Sequence, residues 1–237
     1  MPFTLFGFSH LTVIIVTVFF SYLTFFQNRV STSNRKIIKN ALVTLLILQI
    51  IVFNSWHLVH NSFEIQRFLP LHLCSLSAYI SVFALAFNNQ WLSKLQFFWG
   101  LVPASIALFL PEMSANENFP HFRFIEFFWS HSLIIITTFW IIFSGKLRLK
   151  YRDIWIIFVL LNAFAFGFVY WANQIFGSNY MYLMRKADGG QMNFLPAEPY
   201  HIFGLLGIFL LVFHLQFWIW NYFDKRNQIV TKNDLVK

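Results

Sequence analysis

The sequence is poor in charge, in flexible residues and in sulfur. Only 11% of its 237 residues are charged, 9 acidic against 17 basic. A soluble domain carries about a quarter. A nucleic-acid binder would need a solvated basic face, and a chain with so little charge has little of one. Glycine and proline are sparse, at 9 and 7, and no run of them makes a linker. No low-complexity block or internal repeat interrupts the chain, so it reads as one domain, 1–237. The single cysteine excludes an internal disulfide. Apolar–polar alternation of period two is missing, which argues against an outer-membrane barrel. The H-E-x-x-H and C-x-x-C spacings are missing as well, so neither a metal nor another cofactor is expected.

What fills the chain instead is apolar: 58% hydrophobic residues, 21% aromatics and 33 phenylalanines. A hydrocarbon core of about 30 Å takes about 20 apolar residues as helix. Seven stretches qualify, near 8–26, 37–59, 69–87, 91–110, 121–143, 153–176 and 199–222. The predicted fold is an all-α polytopic membrane protein, a bundle of seven transmembrane helices.

Loop charge sets an expected direction. Arg29, Arg35, Lys36 and Lys39 follow the first segment, and Lys94 sits in the third turn. Lys146, Arg148, Lys150 and Arg152 precede the sixth segment, and Lys225, Arg226, Lys232 and Lys237 end the chain. The remaining basic residues, Arg67, Arg123, Arg185 and Lys186, fall on the other side. Basic loops stay cytoplasmic, so the N-terminus is expected outside and the C-terminus inside. No Lys or Arg precedes the first segment, which therefore reads as a retained helix and not a signal peptide. The net charge of +8 is then mainly a topology signal, with some attraction to anionic headgroups.

In that frame the polar groups crowd the outer ends of the helices. His57 and His60 end the second segment. His72 and Cys74 begin the third. His121, Arg123, Glu126 and His131 descend the fifth, Asn173 closes the sixth, and His201 opens the seventh. The inner halves hold little beyond His214. Polar side chains in a bilayer face a bundle interior or a wet cavity. An outward-facing cavity with His and Cys on its walls is expected.

A buried cysteine is by itself usually a packing residue. Cys74 has a more pointed setting, LPLHLCSLS at 69–77. With Pro70 in the first turn of a helix, Cys74 falls about one turn in, where the positive end of the helix dipole favours a thiolate. His72 is two residues away, about 200° around the helix, so a base should come from elsewhere. His131 is the choice, against the plainer reading of a histidine hydrogen-bonded within the bundle. Their depths agree only if the fifth helix starts above the membrane surface: Cys74 lies about 6 Å from Pro70, His131 about 15 Å from His121. His121, Arg123 and Glu126 suit a phospholipid headgroup. Arg123 and Glu126, at i and i+3, also suit an ordinary helix-surface pair, and Glu126 could orient an imidazole. Trp218, Trp220 and Tyr222 read as an interfacial belt. The longest loop, near 177–198, has the length of a lid or binding loop and holds GSNYMYLMRKADGG.

These motifs carry a resemblance. LPLHLCSLS at 69–77, FFWGLVPASIALFLP at 97–111, FPHFRFIEFFWSHSLII at 119–135 and GSNYMYLMRK at 177–186 resemble the bacterial YwaF-like family, which is related to the eukaryotic transmembrane protein 164 family. The resemblance implies a bacterial cell membrane. It also implies an acyltransferase with a cysteine centre and a histidine partner, which fall by motif on Cys74 and His131. A fatty acyl chain would move between phospholipids or to a lyso-lipid acceptor, with membrane lipids as substrates. His72, His121, Arg123, Glu126, Asn179, Tyr180 and Arg185 then form the substrate-binding set, with Asn179 and Tyr180 placed there by motif alone. The competing classes are a small-solute or lipid transporter or binding protein, a haem protein using His57, His72 or His131, and a receptor without chemistry. The inner half lacks a polar path for transport.

Overall fold

The computed structural model describes residues 2–145, 147–187 and 192–234, with side chains up to residue 224. Lys146, Gly189, Gly190 and Lys237 lie outside the described residues, as do the side chains of Lys225, Arg226 and Lys232. Among the described residues there are helices and no strands. The main rods are α1 (Phe8–Thr24), α2 (Thr32–Val59), α3 (Leu73–Phe87), α4 (Gln90–Phe109), α5 (Phe122–Phe143), α6 (Tyr151–Phe176) and α7 (His201–Asp234). A one-turn helix, Ile65–Phe68, precedes α3.

Five of the rods, α2 and α4 to α7, are long and apolar enough to cross a membrane. The other two are apolar but shorter, 17 residues for α1 and 15 for α3. At about 1.5 Å per residue, α3 covers about 22 Å, less than the hydrocarbon thickness of about 30 Å. Its shortness comes from its start. Residues 69–72, expected to be helical, form a turn instead.

Local sequence explains the corners. Asn88 ends α3 in the left-handed region at φ 49°, a conformation that asparagine tolerates better than most residues. Asn89 then caps α4, its Oδ1 accepting from the N–H groups of Trp91 and Leu92 at 2.8 and 3.1 Å. Two adjacent asparagines thus reverse the chain without a loop. Ser31 caps α2 by accepting from Asn34 N–H at 3.2 Å. Gly177, at φ 64°, closes α6.

The fifth helix is the hub. Its apolar stretch is 61% buried, against 17% in both α2 and α7, so α5 sits inside while those two face outward. It packs against α1, α2, α3 and α4. Ile15, Phe19, Val59, Ile175 and Leu211 are exposed on the outer rods, as lipid-facing residues should be. Polar bridges tie α1 to this hub and to α4. Thr17 Oγ1 meets Ser132 Oγ at 2.7 Å, and the fully buried His10 donates from Nε2 to the Leu108 carbonyl at 2.8 Å while its Nδ1 accepts from Phe6 N–H.

Two rods contain a π turn, Gln96–Gly100 in α4 and Ala165–Val169 in α6. A π turn displaces carbonyls from the ordinary ladder, and in an apolar bundle these need partners. Gln216 of α7 supplies one, donating to the Phe97 carbonyl at 2.9 Å. Gln96 itself is buried and donates to Thr138 Oγ1 of α5 at 2.9 Å. A Cβ on Gly100 would stand 2.5 Å from the Gln96 amide, so glycine makes room for that side chain. At the far end of the bundle Lys94 and Asp153 form a buried ion pair at 2.8 Å between α4 and α6.

Candidate functional site

Cys74 is the second residue of α3, not a turn inside it. His72 is the N-cap, and Pro70 lies in the turn before the helix, not in its first turn. The N–H of Cys74 is therefore one of the four at a helix start with no intrahelical acceptor. The side chain is half-buried and packs on an apolar cluster that includes Ala78, Phe124, Phe127, Phe128 and Ile134.

The start of α3 lies beside the second and third turns of α5. Ser75 and Tyr79 of α3 line one cleft together with Glu126 and Ser130 of α5. Glu126 and Ser130 lie about 6 and 12 Å along α5 from its first residue. His131 follows directly. Its ring sits on Phe127, with centroids 4.2 Å apart, and its Nδ1 lies 2.6 Å from the Phe127 carbonyl oxygen. A carbonyl can only accept, so Nδ1 carries the proton and the lone pair of the neutral ring is on Nε2. Among the described residues no hydrogen bond joins the Cys74 thiol to this imidazole. Cys74 packs on the cluster that includes Phe127 and His131 packs on Phe127 itself, while neither lines the cleft, which their neighbours Ser75 and Ser130 reach.

The cleft lies between α2, α3 and α5 and has a volume of about 60 Å³. That is room for a few waters, not for an acyl chain. Its polar lining includes Gln49 and Asn54 of α2, which sequence reasoning did not single out. The signal was available, since each is a polar residue in an otherwise apolar helix.

Arg123 and Glu126 form the i, i+3 pair at 2.9 Å, and the guanidinium also lies over Phe127 at 4.9 Å. Glu126 is thus engaged by Arg123 and not by an imidazole. Its side chain is 9% exposed while that of Arg123 is 40% exposed, so the pair presents its cationic half at the mouth. His121 has a local role: it caps α5, its Nδ1 accepting from Arg123 N–H at 3.2 Å. Above the cleft the rings stack. Phe68 lies on His57 at 3.9 Å and Trp56 on Phe122 at 4.0 Å.

The loop after α6 is pinned, and Tyr180 is the pin. It is fully buried. Its hydroxyl donates to the Ile65 carbonyl at 2.5 Å and accepts from Leu69 N–H at 2.9 Å. Its backbone N–H and carbonyl are both held by Asn173, at 2.7 and 3.0 Å. Burial pushes the Tyr180 phenol above its ordinary value, against a smaller lowering by Leu69 N–H. Asn179 closes the next turn, its Oδ1 accepting from Met184 and Arg185 N–H groups at 3.1 Å each. The Arg185 side chain is exposed. His72 meets this loop: its ring packs on Tyr180 and Tyr182, and its Nδ1 accepts from Met181 N–H at 3.4 Å. The buried His201 holds the Tyr182 carbonyl at 2.9 Å. Of the expected binding set, then, Glu126 lines the cleft with Arg123 paired to it. His72, Asn179 and Tyr180 build the support beneath the α3 start, and His121 and Arg185 stand outside it.

The family model described as the TMEM164 family matches residues 5–217. The chain belongs to the TMEM164 family. The match runs from before α1 into α7, and so includes both Cys74 and His131. No curated protein and no solved structure matches the chain. With five rods long and apolar enough to cross, this TMEM164-family member is a multi-pass membrane protein.

Proposed function

We propose that the protein is a lipid acyltransferase working through a Cys74 thioester, with His131 as the base. What supports this is a first-turn cysteine packed on the apolar cluster that includes Phe127, and an imidazole stacked on Phe127 whose Nδ1–Phe127 bond leaves the Nε2 lone pair available. A nucleophile needs a base with an available lone pair, and the base needs a fixed tautomer. In the first step His131 Nε2 takes the thiol proton as Sγ attacks the ester carbonyl of a phospholipid. The C–S bond forms, the ester C–O bond breaks, and the imidazolium returns the proton to the departing lyso-lipid oxygen. In the second step an acceptor hydroxyl gives its proton to the same nitrogen and attacks the thioester. The C–S bond breaks and the thiol is restored. The N–H groups at the start of α3, which have no acceptor within the helix, would serve as donors for the oxyanion.

The closed cleft holds only a few waters, so an acyl chain would lie in the groove between rods on the lipid side. The exposed part of Arg123 would take the headgroup phosphate. In this reading α1 and α3 cross with the other five rods, the N-terminus faces out, and the protein sits in a bacterial plasma membrane.

The test is direct. Purified protein is mixed with a phospholipid whose acyl chain carries an isotope label, and the intact mass is followed. A hydroxylamine-sensitive acyl adduct mapped to Cys74, absent in Cys74→Ala, is the expected result. Unimpaired acyl transfer by a folded Cys74→Ala protein would sink the covalent route and leave lipid binding or transport.

A further inference from the structure

At the opposite end of α3 and α5 lies a larger cleft, about 280 Å³ against about 60 Å³. Asn88 lines it, and about 21 Å of helix separates Asn88 from Cys74. Arg35, Lys36 and Lys39 of α2 line its wall, and no carboxylate among the described residues does. Arg35 donates to Asn28 Oδ1 at 3.0 Å and Lys39 to the Leu85 carbonyl at 3.2 Å. Both partners are neutral. The buried carboxylate at this end, Asp153, is committed to Lys94. Three positive charges therefore face the cleft with no described carboxylate beside them.

A second observation comes from Gln27, which also lines the cleft and is 2% exposed. Its Nε2 donates to the Trp140 carbonyl at 2.8 Å, so the amide orientation is fixed. Its Oε1 accepts from no described residue. A buried acceptor without a donor is costly, and it calls for one. Cations on the wall want an anion; an orphan amide oxygen wants a hydroxyl. The volume is just under that of a small-molecule pocket, enough for a phosphate and a short polyol.

The geometry points to a binding site for a polyol phosphate ester, held by Arg35, Lys36 and Lys39 at the phosphate and by Gln27 at a hydroxyl. A glycerol-bearing phospholipid headgroup and soluble glycerol phosphate share that chemistry. The site is separate from Cys74 and from the smaller cleft beside it, and does not depend on acyl transfer.

Native mass spectrometry of the full-length protein, released from neutral detergent, tests it with four probes: phosphatidylglycerol, phosphatidylmethanol, phosphatidylcholine and glycerol 3-phosphate. Phosphatidylglycerol should be retained at least about tenfold over phosphatidylcholine. It should exceed phosphatidylmethanol, which has the same charge and no hydroxyl, about fivefold, and Gln27→Leu should erase that difference. Lys36→Gln with Lys39→Gln should weaken phosphatidylglycerol about 25-fold, at about fivefold per charge. Arg152→Gln, which removes one charge outside the cleft as Lys36→Gln alone removes one within it, should leave it within about twofold. Displacement of the lipid by equimolar glycerol 3-phosphate would assign the soluble source; no displacement would assign the lipid. Equal retention of phosphatidylglycerol and phosphatidylcholine, or a Lys36/Lys39 variant that binds as the wild type does, would overturn the site. Lys36 is exposed, so Lys36→Gln alone serves if the double variant does not fold.

Discussion

Replacing Tyr180 with phenylalanine removes one oxygen atom and tests what holds Cys74 in place. That oxygen makes two bonds to the segment before α3, donating to Ile65 at 2.5 Å and accepting from Leu69 at 2.9 Å. Phenylalanine keeps the ring packing on His72 and leaves a carbonyl and an N–H without partners. A fully buried orphan of this kind costs about 1–3 kcal/mol. Ile65 is 38% exposed, so water can recover part of the loss at its carbonyl. A total of about 2–3 kcal/mol follows, a fall in melting temperature of about 4–12 °C for a chain of this size. Thermal unfolding in detergent, read by tryptophan fluorescence, measures it. Tyr200→Phe is the control, since Tyr200 is 63% exposed and its change should stay within about 0.5 kcal/mol. The phenol adds a pH signature. Its folded value lies above the ordinary 10.0, so its contribution is whole below pH 10.0 and is lost as pH rises from there through the folded value. The wild type should therefore lose stability above pH 10.0 more steeply than Tyr180→Phe. Matching melts for Tyr180→Phe and Tyr200→Phe would refute the claim that this hydroxyl pins the α3 start.

Other positions give sharper or broader readouts. His131→Gln should lower the rate of acyl transfer about 10²–10⁴-fold while leaving the melting curve in place, checked by labelled-lipid transfer beside unfolding. Lys94→Met strands the buried Asp153 carboxylate and should destabilise by about 3–5 kcal/mol, and adding Asp153→Asn should recover part of that in the same melt. Asn173→Leu breaks three bonds at a residue 1% exposed, to Tyr180 and Ser178. It should cost about 3 kcal/mol and expose the 177–187 loop to limited proteolysis. Gln216→Leu leaves the Phe97 carbonyl of the α4 π turn unpartnered and should cost about 1–3 kcal/mol by thermal unfolding.

The rods were legible because they follow from one demand, that backbone groups in an apolar solvent be paired within the segment. Each of the five long apolar rods overlaps a stretch expected from hydropathy, and α1 and α3 fall inside the other two. What hydropathy could not show was the start of α3. Leu69–Pro70–Leu71 is apolar enough to be helix, and proline suits a first turn. Tertiary bonds decide otherwise: Tyr180, 111 residues away, takes the Leu69 N–H. The π turn of α4 was invisible for a similar reason, since its Phe97 carbonyl is satisfied by Gln216 from another rod.

The site divides along the same line. Cys74, His131 and the Arg123–Glu126 pair stand out in sequence because a polar residue in an apolar helix is expensive and so needs a purpose. Residue type alone could not separate contact from support. Asn179, Tyr180 and His72 share a motif vocabulary with the cleft, yet their polar atoms are spent on the chain itself. That spending serves a purpose. A cysteine in the first turn of a short helix has no upstream turns to fix it, so its position is set by whatever fixes residues 65–72. Here that is a buried tyrosine on the loop after α6, itself gripped by Asn173. A change in the loop should therefore register at the α3 start before it registers anywhere in the α5 hub, and hydrogen exchange at Leu69 in an Asn173→Leu protein should rise while exchange at Ile134 stays slow.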